Sequence, residues 1–261
     1  MILRLATLAC LMTAGCATTG KGRAVSETSS APYDTPEGAA QVRRDLARWY
    51  IDNDMHGQAL VMVRELREQG ISGPDIDLMQ GEALAAEGLL SEAEHVLLKV
   101  LEERPREVKA LRALGIVYAD QNRIDEAITL LGHAVELQPD DAATRNNLGF
   151  LHLVQEDCPA AIAQLQTVMD LDATQARYRN NLAMAQVCMG NPEEALRLLR
   201  SNLTEADARY NLGVAMERFD RLDGAKLQYE AATAADPQHA LAQEAIARLN
   251  TPLSPPATDI P

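Results

Sequence analysis

The chain has 261 residues, with 38 acidic against 24 basic side chains, a formal net charge of −14 and only 3% aromatic residues. A surface this acidic repels phosphate backbones and so argues against nucleic acid as a ligand; otherwise it speaks only for solubility. Abundant alanine and leucine with few aromatics suit helix packed on helix, and the length allows a substantial elongated core.

Residues 1–16, MILRLATLACLMTAGC, contain one basic residue, an apolar run and small residues ahead of a cysteine. That is the pattern of an export signal. The apolar run is shorter than the roughly 20 residues that a spanning helix needs. Thr13-Ala14-Gly15-Cys16 is similar to the lipobox of bacterial lipoproteins, a resemblance that implies diacylation of Cys16 and cleavage just before it. Ala14, Gly15 and Cys16 match, whereas Thr13 stands where that motif prefers leucine. The competing reading is an ordinary cleaved signal with Cys16 incidental. Acyl chains contribute about 0.8 kcal/mol per buried methylene, enough in combination to hold a protein to a bilayer. Ala17 after the cysteine resembles the sorting class sent to the outer membrane, so the expected location is the outer membrane, lipid-anchored and facing the periplasm. Residues 17–39 are rich in Ser, Thr, Gly and Pro. They bury too little to order themselves and read as a flexible tether.

From residue 40 the chain repeats itself. The unit is clearest at 108–141, VKALRALGIVYADQNRIDEAITLLGHAVELQPDD, where apolar residues recur three and four apart in two short runs separated by Gln121-Asn122-Arg123 and closed by Pro139. Two helices of one hairpin follow from that period. A shift of 34 residues recovers one small-residue column at Ala47, Gly81, Gly115, Gly149, Ala183 and Gly213, and a second at Ala59, Ala93, Ala127, Ala161, Ala195 and Ala225. A large column runs Val63, Leu97, Leu131, Leu165, Leu199 and Tyr229. The last step is 30 instead of 34 in every column. Units are therefore expected at 40–73, 74–107, 108–141, 142–175, 176–205 and 206–239. Pro105, Pro139 and Pro237 close their units, and Ala173 stands in for one such proline.

The pattern resembles the tetratricopeptide repeat, whose period it shares. Gln80, His152 and Gln186 depart from it locally. The resemblance implies an all-α fold, a right-handed superhelical solenoid of six helical hairpins, with a concave groove that binds proteins or peptides. The first unit diverges most and carries Arg43, Arg44, Arg48 and the sole tryptophan, Trp49; this reads as a solvated capping face or as a basic spot facing anionic lipid. Residues 240–250 repeat the first helix of a unit and stop before Pro252, as a capping helix does. The tail 251–261 is proline-rich and expected to be disordered. Asn191-Pro192-Glu193-Glu194 writes a helix start. The four residues lost after Leu203 predict an altered handover between the last two units and a specificity-determining bend at 201–207.

The faces of the first helices left free by their neighbours should line the groove. Ile116, Phe150, Met184 and Val214, with Leu153 and Val187 one turn on, form an apolar stripe that reads either as a peptide groove or as core between repeats. Asn147, Asn181 and Asn211 run beside it, with amides that could hold a peptide backbone. Arg112, Asn147 and Arg177 resemble part of the carboxylate clamp of some of these repeats, but Ile116 and Asn181 replace other clamp residues. Cys158 and Cys188 lie in adjacent units near the groove edge, either as a disulfide, which an oxidising compartment permits, or as two buried thiols. The five histidines show no metal-ligand spacing, and no phosphate-binding glycine loop or serine elbow is present. The expectation is a protein-binding scaffold without catalytic residues, metal, cofactor, nucleic acid or small-molecule substrate.

Repeats behind a lipobox resemble the pilotin lipoproteins of type IV pili. NNLAMAQVCMGNPEEALRLLRSN followed by EADARYNLGVA, with its shortened unit, is similar to the Tad (Flp) pilus-assembly lipoproteins. These resemblances imply a role in pilus or secretin assembly with an envelope protein as partner. The alternative is an adaptor that docks a periplasmic protease or cell-wall hydrolase.

Overall fold

The computed structural model describes residues 35–250. The expected export signal, Cys16, and the tail at 251–261 lie outside the described residues, as does most of the expected tether. Six hairpins follow one another, pairing α1 (Pro36–Asp52) with α2 (His56–Glu68), α3 (Pro74–Ala86) with α4 (Leu90–Glu103) and α5 (Val108–Asp120) with α6 (Ile124–Leu137). The remaining pairs are α7 (Ala142–Val154) with α8 (Cys158–Leu171), α9 (Ala176–Cys188) with α10 (Pro192–Arg200) and α11 (Glu205–Arg218) with α12 (Leu222–Ala235). A single helix, α13 (Ala240–Asn250), packs on α12 and closes the stack.

Each helix packs on the next in sequence, and each first helix of a hairpin also packs on the first helix of the following hairpin. Second helices make their principal contacts with the first helices beside them. First helices therefore form a continuous inner wall with second helices outside, the arrangement that gives a repeat array its concave face.

The three columns explain why each hairpin closes. Every residue of the two small columns and of the large column is buried. A Cβ added at Gly115 would lie 2.8 Å from the side chain of Leu131, and one at Gly81 would lie 2.6 Å from Leu97. The small column is thus the seat of the large column of the same hairpin. In the sixth hairpin the large residue is Tyr229, seated on Gly213; its hydroxyl donates to Glu217 at 2.6 Å, and burial raises the phenol's pKa.

Two further columns emerge from the backbone. Asp54, Gly88, Asn122, Glu156, Gly190 and Asp220 all have positive φ, between 55° and 88°, and each sits two residues beyond a first helix. The next residue's N–H returns to the carbonyl five residues back, as in Arg123 to Tyr118 at 2.8 Å and Asn191 to Gln186 at 2.8 Å. This is the Schellman ending, in which a left-handed residue lets the chain reverse while satisfying a helix carbonyl. The second column joins hairpins: Arg145 donates to the Pro139 carbonyl at 2.5 Å, Arg179 to that of Ala173 at 3.0 Å and Gln243 to that of Pro237 at 2.7 Å. Ala173 can replace a proline because the side chain six residues later still holds its carbonyl.

The ends and the shortened unit depart from the regular repeat in three places. Helix α1 begins at Pro36, with Thr35 Oγ1 accepting from the Gly38 N–H at 3.0 Å, so 36–39 belong to the first hairpin and not to a tether. Proline suits a first helical position because its missing N–H needs no partner there. On the outer side of α1, Val42 and Trp49 are exposed, although their register equivalents Ile76, Ala110, Ala83 and Val117 are buried. Later hairpins cover that face with the preceding one; among the described residues the first hairpin has none before it. Helix α10 has 9 residues where α8 has 14, so the missing turn is taken from its end. Its start carries Glu193 and Glu194, but the Asn191 side chain makes no cap bond and donates instead to Gln186 at 3.2 Å.

Candidate functional site: the inner wall

Position 48 of the first hairpin recurs as Glu82, Ile116, Phe150, Met184 and Val214. Arg48 and Glu82 are joined at 2.5 Å, whereas Ile116, Phe150 and Val214 are exposed apolar side chains and Met184 is half-buried. The column is therefore ionic over two hairpins and apolar over four. Three hollows lie along its apolar part. One of about 320 Å³ between α3 and α5 is floored by Ala85, Ala86 and Ala113, with Ile51 and Ile116 at its sides. The next, about 340 Å³ between α5 and α7, is bounded by Ile116, Ile124, Phe150, Leu151 and Val154. A smaller one of about 120 Å³ lies where Met184 meets Val214, with Asn180 and Asn211 beside them.

Leu153 and Val187 are buried, at 2% and 0% exposure, and do not line the groove. The correction is one of helical phase. Three residues on from Phe150 turn the side chain by about 60° in one direction, while four turn it by about 40° in the other. The fourth residue, Val154, is the one that reaches the hollow, and Leu153 turns into the core under α8 with Ala161 and Leu165. At the equivalent place in α9 Val187 is core and Cys188 comes next to the edge.

The amides divide by role. Asn147 and Asn211 line hollows, but Asn181 Nδ2 donates to Asn146 Oδ1 at 2.9 Å, tying α9 to α7. The clamp-like arginines are occupied as well. Arg112 is 3.0 Å from Asp141, whose pKa is lowered against its burial by hydrogen bonds from Thr144 and by Arg112. Arg177 lies over the Tyr178 ring and donates to its hydroxyl at 3.1 Å. Of the three arginines of the first hairpin, Arg48 holds Glu82 and Arg43 is 3.7 Å from Glu65, whereas the buried Nε of Arg44 has no hydrogen-bond partner among the described residues. His152 is half-buried with Nδ1 3.9 Å from Asp157.

Cys158 at the start of α8 and Cys188 at the end of α9 are joined as a disulfide, with Cα atoms 5.7 Å apart. It links the fourth hairpin to the fifth on the loop edge of the wall. At the shortened junction Arg200 Nε and Nη2 donate to the Glu205 carboxylate at 2.6 and 2.5 Å, and Arg209 adds a third bond at 2.6 Å. These donors hold Glu205 down to a pKa of about 2. In α7, α9 and α13 the residue in the position of Arg209 reaches back to a loop carbonyl; here the loop is too short and Arg209 takes the carboxylate. Among the described residues no group of three His, Cys, Asp or Glu side chains is placed to hold a metal, and no helix is long and apolar enough to cross a membrane.

Paired helices in register, a small column seating a large one, and an inner wall of first helices define a tetratricopeptide-repeat solenoid, a class built around an extended concave face. The chain therefore has the tetratricopeptide-repeat fold. Family models described as "TPR repeat" and "Tetratricopeptide repeat" match residues 115–156 and 180–240. Among solved structures, the chain is similar to YrrB, described as a TPR protein with an unusual peptide-binding site, at 22% identity and a TM-score of 0.54, covering 70% of this chain and 95% of that one. It is similar also to MamA from Desulfovibrio magneticus RS-1, at 23% identity and a TM-score of 0.53, covering 70% and 97%. A further MamA crystal structure gives 24% identity and 0.52 over 70% and 98%. At such identities the likeness carries the fold alone. No curated protein sequence matches the chain.

Proposed function

We propose that this chain is a membrane-anchored scaffold that grips a partner protein along its inner wall and assists assembly of an envelope machine, a pilus or a secretin. The observation that carries the binding half is the exposed column of Ile116, Phe150 and Val214 with hollows on either side. Exposed large apolar side chains aligned in a concave row are what a protein-binding groove requires. The peptide-binding site named for YrrB belongs to that protein and is consistent with the same use here. The anchoring half rests on the lipobox-like Thr13-Ala14-Gly15-Cys16, and the pilus half on the resemblance of the fifth and sixth units to Tad lipoproteins.

Two experiments test it. Photo-cross-linking from position 150 in intact cells should capture a pilus or secretin component. Capture of a protease or cell-wall hydrolase would replace the assembly role with that of an adaptor. Cys16→Ser should release the protein from the membrane fraction; retention there would remove the anchor.

A further inference from the structure

The two larger hollows differ from the rest of the wall in that they share a ridge, made by Ile116 and Asp120 of α5. Three charged residues line them. Glu82 is taken by Arg48 at 2.5 Å and Arg112 by Asp141 at 3.0 Å. Asp120 is exposed, and among the described residues its carboxylate has no hydrogen bond or ion pair. An unpaired carboxylate between two apolar hollows, on a chain of net charge −14, complements a cation flanked by apolar groups. We propose that this part of the wall binds an extended peptide carrying two large apolar side chains with a lysine or arginine between them, the apolar groups filling the hollows and the cation meeting Asp120.

The spacing follows from the helices. Packed helices lie about 8–10 Å apart, so hollows on either side of α5 are separated by about that distance. A chain in polyproline II conformation advances about 9 Å in three residues and returns a side chain to the same face. The apolar anchors therefore stand three positions apart, with the basic residue at either place between them. The cation is partly shielded from water by Ile116 and Phe150 and can lay its methylene stem across Ile116. This reading rests on the groove proposed above and adds what the groove selects.

Phage-displayed random linear peptides selected on the full chain test it. The wild-type protein should enrich sequences with two large apolar positions three apart and lysine or arginine between them. Asp120→Lys, an exposed substitution that leaves the core untouched, should shift the middle position to aspartate or glutamate. For a synthetic peptide from the wild-type selection, Asp120→Asn should weaken binding by about threefold to tenfold in fluorescence polarisation. Apolar pairs with no charge preference, or a preference unchanged by Asp120→Lys, would overturn the role of Asp120 and leave the groove standing. Anchors seven apart, the spacing of a helical ligand, would overturn the extended form. If no peptide is enriched on the wild type, or the same peptides are enriched on Phe150→Asp, the groove reading fails and this one with it.

Discussion

Two glycines in adjacent helices show how much a single methyl group is worth in this stack. Gly115 faces Leu131, and an added Cβ would lie 2.8 Å from it. Gly132 in α6 has nothing within 4 Å of the same added atom. Gly115→Ala should therefore cost about 1–3 kcal/mol through overpacking, whereas Gly132→Ala should gain up to about 1 kcal/mol from helix propensity; urea denaturation of the two variants distinguishes them. Glu156 is the residue least suited to its backbone. It has φ 59° at a turn position filled elsewhere by Gly, Asn or Asp. A side chain with a methylene at Cγ gains no local hydrogen bond in that conformation. Glu156→Gly should raise stability by about 1 kcal/mol, with the inter-helix turn unchanged.

At the scale of helices and their junctions, the fourth and fifth hairpins are held by a covalent bond and the fifth and sixth by an ionic one. Cys158 and Cys188 are 30 residues apart in sequence, so reduction should lower stability by about 3–4 kcal/mol on the loop-entropy account. Hydrogen exchange should show the loss concentrated in α8 and α9, because each hairpin is supported only by its neighbours. At the shortened junction the sign of the pH effect is set by Glu205. Its pKa falls from 4.5 to about 2 on folding, so its support is complete above the unfolded value and is lost as pH drops through that interval. Exchange in the first turn of α11 should rise over that interval, Arg200→Met should shrink the dependence, and Arg200→Met with Arg209→Met should abolish it.

The hairpins were legible in the sequence because three columns kept one period, although α11 begins at Glu205, inside the unit drawn at 176–205. The groove was half legible. Ile116, Phe150 and Val214 reach it because they share one register position, but Leu153 and Val187 do not, since a step of three residues and a step of four rotate a side chain to opposite sides. The left-handed turn column was present as Asp54, Gly88, Asn122, Gly190 and Asp220 and was obscured by Glu156. The arginine latches were not legible: their acceptors are loop carbonyls, which leave no mark on residue identity.

Over the whole molecule, the inner wall changes character along its length. It is ionic in the first two hairpins, where Arg48 meets Glu82, and apolar from Ile116 onward. Binding should accordingly depend on the middle and later hairpins. Phe150→Asp with Val214→Asp should abolish capture of a wall-bound partner while circular dichroism stays unchanged, since both side chains are exposed. Met184→Asp is the poorer test, because that side chain is half-buried and packs against the core cluster that includes Leu182 and Ala185.

A stack whose members touch only the next in line behaves as a spring, and its stiffness is the stiffness of its joints. The bond between Cys158 and Cys188 clamps one joint near the middle. The joint between α5 and α7, one hairpin earlier, has no such bond among the described residues and rests on packing alone. Cutting that bond should soften one joint and leave the stiffness of the others as it was.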